Sequence, residues 1–270
     1  MNKKMIIIVL SVLIGISALA AGAYWFLTGS NDQLAEDEAP TKRRIEEPEN
    51  VIPVSQRPVI SVRPEADGRH VIISIEAVKK PATEAEYILE YQTGTLVQAQ
   101  QGLISIPSAP VTERILMGSC SAGGACTYHE DIQGGPLRTR FDGGGGEAYA
   151  LQSDWRYFDN ADQESAFSSR DVLFQIESDD LASQRYLIIF NGSGYPAGLE
   201  EYGEVVSDPY HLNVSGTLSG EGTLTMRARE EGNLKIMGWD GSDWAEFEGE
   251  VDGRMITAEV PLLPFYIVVR

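Results

Sequence analysis

The sequence predicts a mainly β chain: an N-terminal transmembrane helix, a linker, then an antiparallel β-sandwich region of two β units. Three observations predict it. From about Pro58 onward, apolar residues recur at period two in short segments. The chain's 27 Gly and 13 Pro are a high load for a helical protein, and turn residues separate those segments. After Leu27, no segment carries a long apolar stripe at helical spacing.

The first element is Met5–Leu27, 23 residues without a charge. As a helix it would extend about 34 Å, enough to cross the hydrocarbon core of a bilayer. Lys3 and Lys4 precede it and Asp32, Glu36, Asp37 and Glu38 follow, so residues 1–4 are expected in the cytoplasm and the rest outside. Ala18-Leu19-Ala20 fits a signal-peptidase site. The apolar run nevertheless continues through Tyr24-Trp25-Phe26, which suits a membrane interface, so an uncleaved single-pass anchor is the expectation. Residues 28–57 contain Pro40, Pro48 and Pro53 with dense charge, and read as a disordered acidic stalk.

The strands follow in order. Val71, Ile73, Ile75 and Ala77 share one face, as do Tyr87, Leu89 and Tyr91 with Glu90 and Gln92 opposite. Residues 115–117 and 126–129 read as arms of a hairpin. Asp154 to Arg170 and Ser178 to Gln184 have room for short helical turns. Val172, Phe174 and Ile176 alternate again, and Tyr186–Phe190 is apolar on both faces, as a central strand would be. Gly and Pro cluster between Gly192 and Pro209, which suggests a boundary between a sandwich domain over 58–200 and a small β domain over 205–270. The second unit carries Leu224/Met226/Ala228, Leu234/Ile236, Ile256/Ala258/Val260 and Phe265–Val269. Alone it would bury little surface, so it is expected to pack on the first.

The net charge is −19, and −21 beyond the two N-terminal lysines. Such a surface repels nucleic acid and favours solubility, cations or basic partners. Cys120 and Cys126 are the only cysteines. In an exported chain they are expected to pair across a hairpin whose loop is Ser121–Ala125. Free thiols are one alternative. A metal site recruiting His129 is another, with poor zinc spacing and no fourth ligand. Asp154, Asp159, Asn160, Asp162 and Glu164 form an oxygen-rich patch that could hold calcium, without the glycine and closing Glu of an EF-hand. No other cofactor is indicated. Trp155, Tyr157, Trp239 and Trp244 are candidates for a sugar-stacking platform.

Ser119-Cys120-Ser121-Ala122-Gly123-Gly124 resembles the nucleophile elbow of α/β-hydrolase esterases, which implies a serine hydrolase. Here Ser119 replaces the first Gly, strand-like sequence follows in place of a helix, and no βαβ pattern exists. Trp239-Asp240-Gly241-Ser242-Asp243-Trp244 reads as a hairpin with paired tryptophans. With Val251, Ile256–Val260 and Phe265–Val269, it resembles C-terminal β modules of bacterial exported and surface proteins over about residues 213–270. Leu263-Pro264 stands where those modules often carry His-Phe-Ser. The resemblance implies an accessory role. The region 58–200 resembles immunoglobulin or fibronectin-type sandwiches in strand pattern, without the Cys…Trp…Cys framework. The function expected from all of this is binding or scaffolding at the cell surface or envelope, with a protein or polysaccharide partner. Sugar binding is the alternative and hydrolysis a distant one.

Overall fold

A computed structural model describes residues 48–270. The anchor expected at 5–27, the expected cytoplasmic tail at 1–4 and residues 28–47 of the expected stalk lie outside the described residues. Among the described residues no helix is long and apolar enough to cross a membrane.

The described residues form nineteen strands. They are β1 (Val59–Pro64), β2 (His70–Ala77), β3 (Glu84–Thr93), β4 (Leu96–Ser105), β5 (Val111–Leu116), β6 (Gly118–Cys120), β7 (Cys126–Tyr128), β8 (Ile132–Asp142), β9 (Tyr149–Asp159) and β10 (Ala166–Ser168). They continue with β11 (Phe174–Glu177), β12 (Tyr186–Asn191), β13 (Tyr210–Val214), β14 (Glu221–Arg227), β15 (Lys235–Trp239), β16 (Trp244–Phe247), β17 (Glu250–Asp252), β18 (Met255–Pro261) and β19 (Phe265–Val269). Among the described residues the helical elements are three short 3-10 turns, Val54–Gln56, Asp179–Ser183 and Leu199–Glu201.

One nine-stranded sheet organises the rest, in the order β16-β15-β19-β13-β12-β9-β8-β3-β4. A three-stranded sheet, β1-β2-β5, packs on one face of it and a five-stranded sheet, β10-β11-β14-β18-β17, on the other. Strand β12 shows why the two lie on opposite faces. Its Ile188 and Phe190 join the core under β1-β2-β5, while Leu187 and Ile189 join the core under the five-stranded sheet. Period two sends alternate side chains to opposite sides. A third cluster, Tyr195, Leu199, Met237, Phe265, Ile267 and Val269, covers the first face at the far end. The sheet is therefore covered on both sides in its β13–β16 half. In its β4–β9 half the second side is covered only at the end of β9, where Phe158 packs against Phe167 of β10.

Two sequence expectations are corrected here. The boundary near 200–205 does not divide the described chain, because β13, β15, β16 and β19 continue the sheet begun by β3, β8 and β9. Pairing across it closes strand edges that a separate 65-residue unit would leave open. Residues 48–57, expected in the stalk, are seated on the sheet. Glu49 bridges Ala150 in parallel, and the Asn50 side chain exchanges hydrogen bonds with the Gln152 backbone at 2.9 and 3.2 Å. Strand β12 pairs with β9 only from Trp155 to Asp159, so residues 150–152 offer an open edge that this segment satisfies.

Three more local expectations change. Asp154–Arg170 holds the end of β9 and all of β10, with no helical turn. Val172 is exposed with φ +63°, in a turn ahead of β11, because the Asp171 carboxylate accepts from Leu173 N and Ser169 Oγ. The 115–117 arm also belongs elsewhere: β5 pairs with β2, and the hairpin is β6–β7.

Candidate functional site

Cys120 and Cys126 are bonded and lie directly opposite each other in the β6–β7 register, both exposed. Ser121 N donates to Ala125 O at 2.8 Å, which closes the loop between them. The elbow-like Ser121 thus sits in an exposed hairpin turn followed by a strand. His129 is held by the Tyr91 hydroxyl at 2.9 Å and is no zinc partner of the bridged cysteines.

The four aromatic candidates do not form a platform. Trp155 is fully buried, with Nε1 donating to Glu90 O at 3.1 Å, and Tyr157 is buried beside it in the same core. Trp239 and Trp244 pair across β15–β16 with ring centroids 5.2 Å apart, as the Asp-Gly turn implied. They are half-buried against the third cluster, and Trp244 Nε1 donates to Ala197 O at 2.9 Å. Their rings pack on the protein itself, which is what a buried aromatic face does by default.

Of the oxygen-rich patch, Asp159, Asn160, Asp162 and Glu164 line one open depression, and Asp154 stands apart from it. Asp154 projects from mid-β9, Asp159 ends the strand and pairs with Arg185 at 2.7 Å, and Asp162 is exposed. Asn160 is buried with its amide committed to Glu164 and Leu181. Asp159 lies five positions after Asp154 on the strand, so the two point to opposite faces about 17 Å apart. Among the described residues, Glu65, Asp67 and His70 do converge closely enough to share an ion. Arg114 already occupies that position, at 2.7 Å from Glu65 Oε2 and 2.9 Å from His70 Nδ1. Its hydrogen bond holds the Glu65 carboxyl below the usual range. Burial pulls Asp67 upward, but the Arg69 backbone N–H and the His70 ring leave it lowered overall.

What the fold does assemble is the uncovered face of β3, β8 and β9. Inward residues Tyr87, Leu89 and Tyr91 leave Glu86, Ile88 and Glu90 outward; Leu137 and Thr139 leave Arg138 and Arg140; Trp155 and Tyr157 leave Asp154, Arg156 and Phe158. Arg138 sits at the centre, bonded to Glu90 at 2.5 Å, Glu49 at 3.2 Å and Gln152 at 3.1 Å. Burial raises the Asp154 carboxyl and Arg170 opposes the shift.

At one end of this face lie two adjoining open depressions of about 430 and 410 Å³ that share Gln133, Tyr157 and Phe158. The first is lined by Gln92, Arg156 and Arg170, the second by Asp131, Asp159, Asp162 and Glu164. Arg156 is fixed there. Its guanidinium carbon lies 4.9 Å from the Phe158 ring centroid, and Nη1 donates to Ser168 Oγ at 2.8 Å. A guanidinium held this way can still offer its remaining donors to a carboxylate. The groove is therefore bipolar, with arginines at one end and carboxylates at the other.

Neither arginine was visible as a site residue in the sequence. The alternation in β9 carries the signal, but Ser153 in the inward row and Phe158 in the outward row blur it. Comparison with protein-family models, curated proteins and solved structures gives no match to this chain.

Proposed function

We propose that this chain is a binding or scaffolding protein of the cell envelope. In this reading it is tethered by residues 5–27 with its N-terminus in the cytoplasm, and it engages a protein partner outside. The observation that carries the binding role is the bipolar groove on the open face of β3, β8 and β9. Arg156 and Arg170 suit an acidic side chain or chain terminus, and Asp131, Asp159, Asp162 and Glu164 suit a basic one about a residue or two further on. A polypeptide presents both signs at such spacing.

The exported location draws on the exposed Cys120–Cys126 bridge, since exposed disulfides persist in oxidising compartments. The charge asymmetry around Met5–Leu27 supports the same topology. The likeness of residues 213–270 to accessory modules of exported proteins, and of 58–200 to immunoglobulin-type sandwiches, fits a binding role and forms part of the same proposal.

Proximity labelling on intact cells tests it. The full chain, fused to a labelling enzyme at its C-terminus, is expected to mark envelope proteins. The Arg156→Glu/Arg170→Glu variant is expected to lose at least one strong neighbour at equal expression. Marking of cytosolic proteins would overturn the location, and an unchanged set of neighbours would overturn the groove.

A further inference from the structure

We infer that β4 is a self-pairing edge, through which two copies of this chain join their nine-stranded sheets. Strand β4 ends the large sheet, and among the described residues nothing pairs with its outer side. Alternate N–H and C=O groups along an edge strand point away from the sheet and can template another strand.

Proteins usually blunt such an edge with charge, proline, a bulge or shortness. The other edges here follow that rule. Strand β16 has four residues with Glu246 among them, β17 has three with two of them acidic, β10 has three, and β5 carries Glu113 and Arg114. Strand β4 follows none of it. It runs ten residues, Leu-Val-Gln-Ala-Gln-Gln-Gly-Leu-Ile-Ser, with no charge and no proline, in unbroken register with β3. Leu96, Val97 and Leu103 are 62%, 71% and 49% exposed, three of the large apolar residues left in solvent.

Two features select a second copy as the occupant. The first is charge. With a net charge of −19, two copies repel over most of their surface, and β4 offers a long approach without a carboxylate. Glu84, Glu86 and Glu90 lie one strand back, on β3. Across a β4–β4 contact the two β3 strands would be about 14 Å apart. That exceeds the Debye length of about 8 Å at physiological salt, so their repulsion is screened.

The second is self-complementarity. In an antiparallel two-fold pairing, facing residues must lie on the same side of the sheet, so the axis must pass through a residue. An axis through Gln100 sets Val97 against Leu103, Leu96 against Ile104, and Ala99 against Gln101. An axis through Gln101 would set Val97 against Ser105 and Leu103 against Ala99. The first register matches every large apolar side chain of the strand with another, the kind of cross-strand pair that stabilises a sheet. A one-strand contact is small beside a standard interface of about 1,600 Å², so this dimer exchanges and depends on concentration.

Cysteine cross-linking of the full chain in detergent micelles tests the inference. The native pair is already bridged, so single added cysteines report cleanly. Under copper–phenanthroline, Gln100→Cys is expected to give a covalent dimer, and Val97→Cys/Leu103→Cys likewise. Val251→Cys, exposed on β17, is expected to give at least ten-fold less. Adding Val97→Lys to Gln100→Cys should cut the yield at least five-fold with an unchanged near-UV circular dichroism spectrum. If that spectrum changes, Leu103→Lys serves instead. Equal yields at 100 and 251, or no effect of the lysine, would overturn the pairing and assign any dimer to the N-terminal segment. A maximum at 101 would overturn the register. Cross-linking of position 100 to a different protein in intact cells would assign the edge to a foreign strand.

Discussion

The two halves of the nine-stranded sheet differ in how many of their faces are covered, and their sequences differ accordingly. In β3, burial strictly alternates, with Ala85, Tyr87, Leu89 and Tyr91 inward and Glu86, Ile88 and Glu90 outward. In β19 all five residues, Phe265 to Val269, are buried. Tyr266 and Val268 face the core under the five-stranded sheet, while Phe265, Ile267 and Val269 face the third cluster. Alternation marks a strand with one wet face, and a continuous apolar run marks a strand with none. The half with a wet face carries the groove and the bare edge. The half without one carries much of the packing.

The sharpest break of this comparison is a pair of matched truncations. Ile267→Ala removes a fully buried side chain in the covered half and is expected to cost about 2–5 kcal/mol. Ile88→Ala, on the open face of β3, is expected to cost under about 1 kcal/mol. Urea unfolding of both variants measures the difference. Equal losses would show that something covers the open face.

The same contrast explains what could be read from the sequence. Strands β2, β3, β12, β14, β15, β18 and β19 were legible because each follows one pattern cleanly. The 3-10 turn at 179–183, the Cys120–Cys126 bridge and the paired tryptophans were legible because their determinants are local. Strand β9 was not, since its rows are mixed: Ser153 points inward, where its hydroxyl meets Ser193 Oγ at 2.7 Å, and Phe158 points outward under Arg156. The candidate site suffered for it. Trp155 and Tyr157 look like surface aromatics in a charged stretch, and only the strand phase reveals them as core. The continuity of the sheet across 200–205 was also out of reach. It depends on β12 pairing with β13, and then β13 with β19, more than fifty residues further on.

Strand β13 joins the halves, and its His211 gives the second test. The ring is buried between Phe190 and Phe265, its Nε2 has no hydrogen-bond partner, and burial lowers its pKa from 6.5 to about 3. The unfolded chain takes up a proton near pH 6.5 and the folded chain does not. Stability is therefore full above pH 6.5 and falls as pH drops toward 3, by about 1.4 kcal/mol per unit. Denaturant titrations between pH 6.5 and 4.5 are expected to show this slope in the wild type and a flatter one in His211→Leu. Parallel slopes would mean that the ring is not buried at the junction.

Removing the bridge probes the open half at lower cost. Cys120 and Cys126 are six residues apart, so loop-closure entropy gives the disulfide about 2 kcal/mol. The β6–β7 hairpin reaches the core through His129, whose backbone N–H bonds Met117 O at 2.9 Å and whose ring meets Tyr91. Cys120→Ala/Cys126→Ala is expected to loosen this hairpin first. Faster amide exchange at 118–129 with little change in β15–β19 would confirm that the halves open separately. Uniform acceleration would make the sheet one cooperative unit.

The smallest effect is expected at Trp244, and it asks how the covered half obtains its second cover. The third cluster has no sheet above it. Its lid is the segment carrying Tyr195 and Leu199 together with the Trp239–Trp244 pair. The hydrogen bond from Trp244 Nε1 to Ala197 O ties the hairpin to that segment. Trp244→Phe keeps most of the apolar contact with Phe265, 5.6 Å away between centroids, and removes only the donor. One hydrogen bond is worth about 1 kcal/mol. A loss of that size, with faster exchange at Leu199 and Tyr202, would show that the loop is held down by this tie. A loss near zero would mean that burial of Leu199 and Tyr195 alone keeps the second face dry. The difference between the halves would then come from apolar content in the 195–206 segment, independent of the tryptophan hairpin.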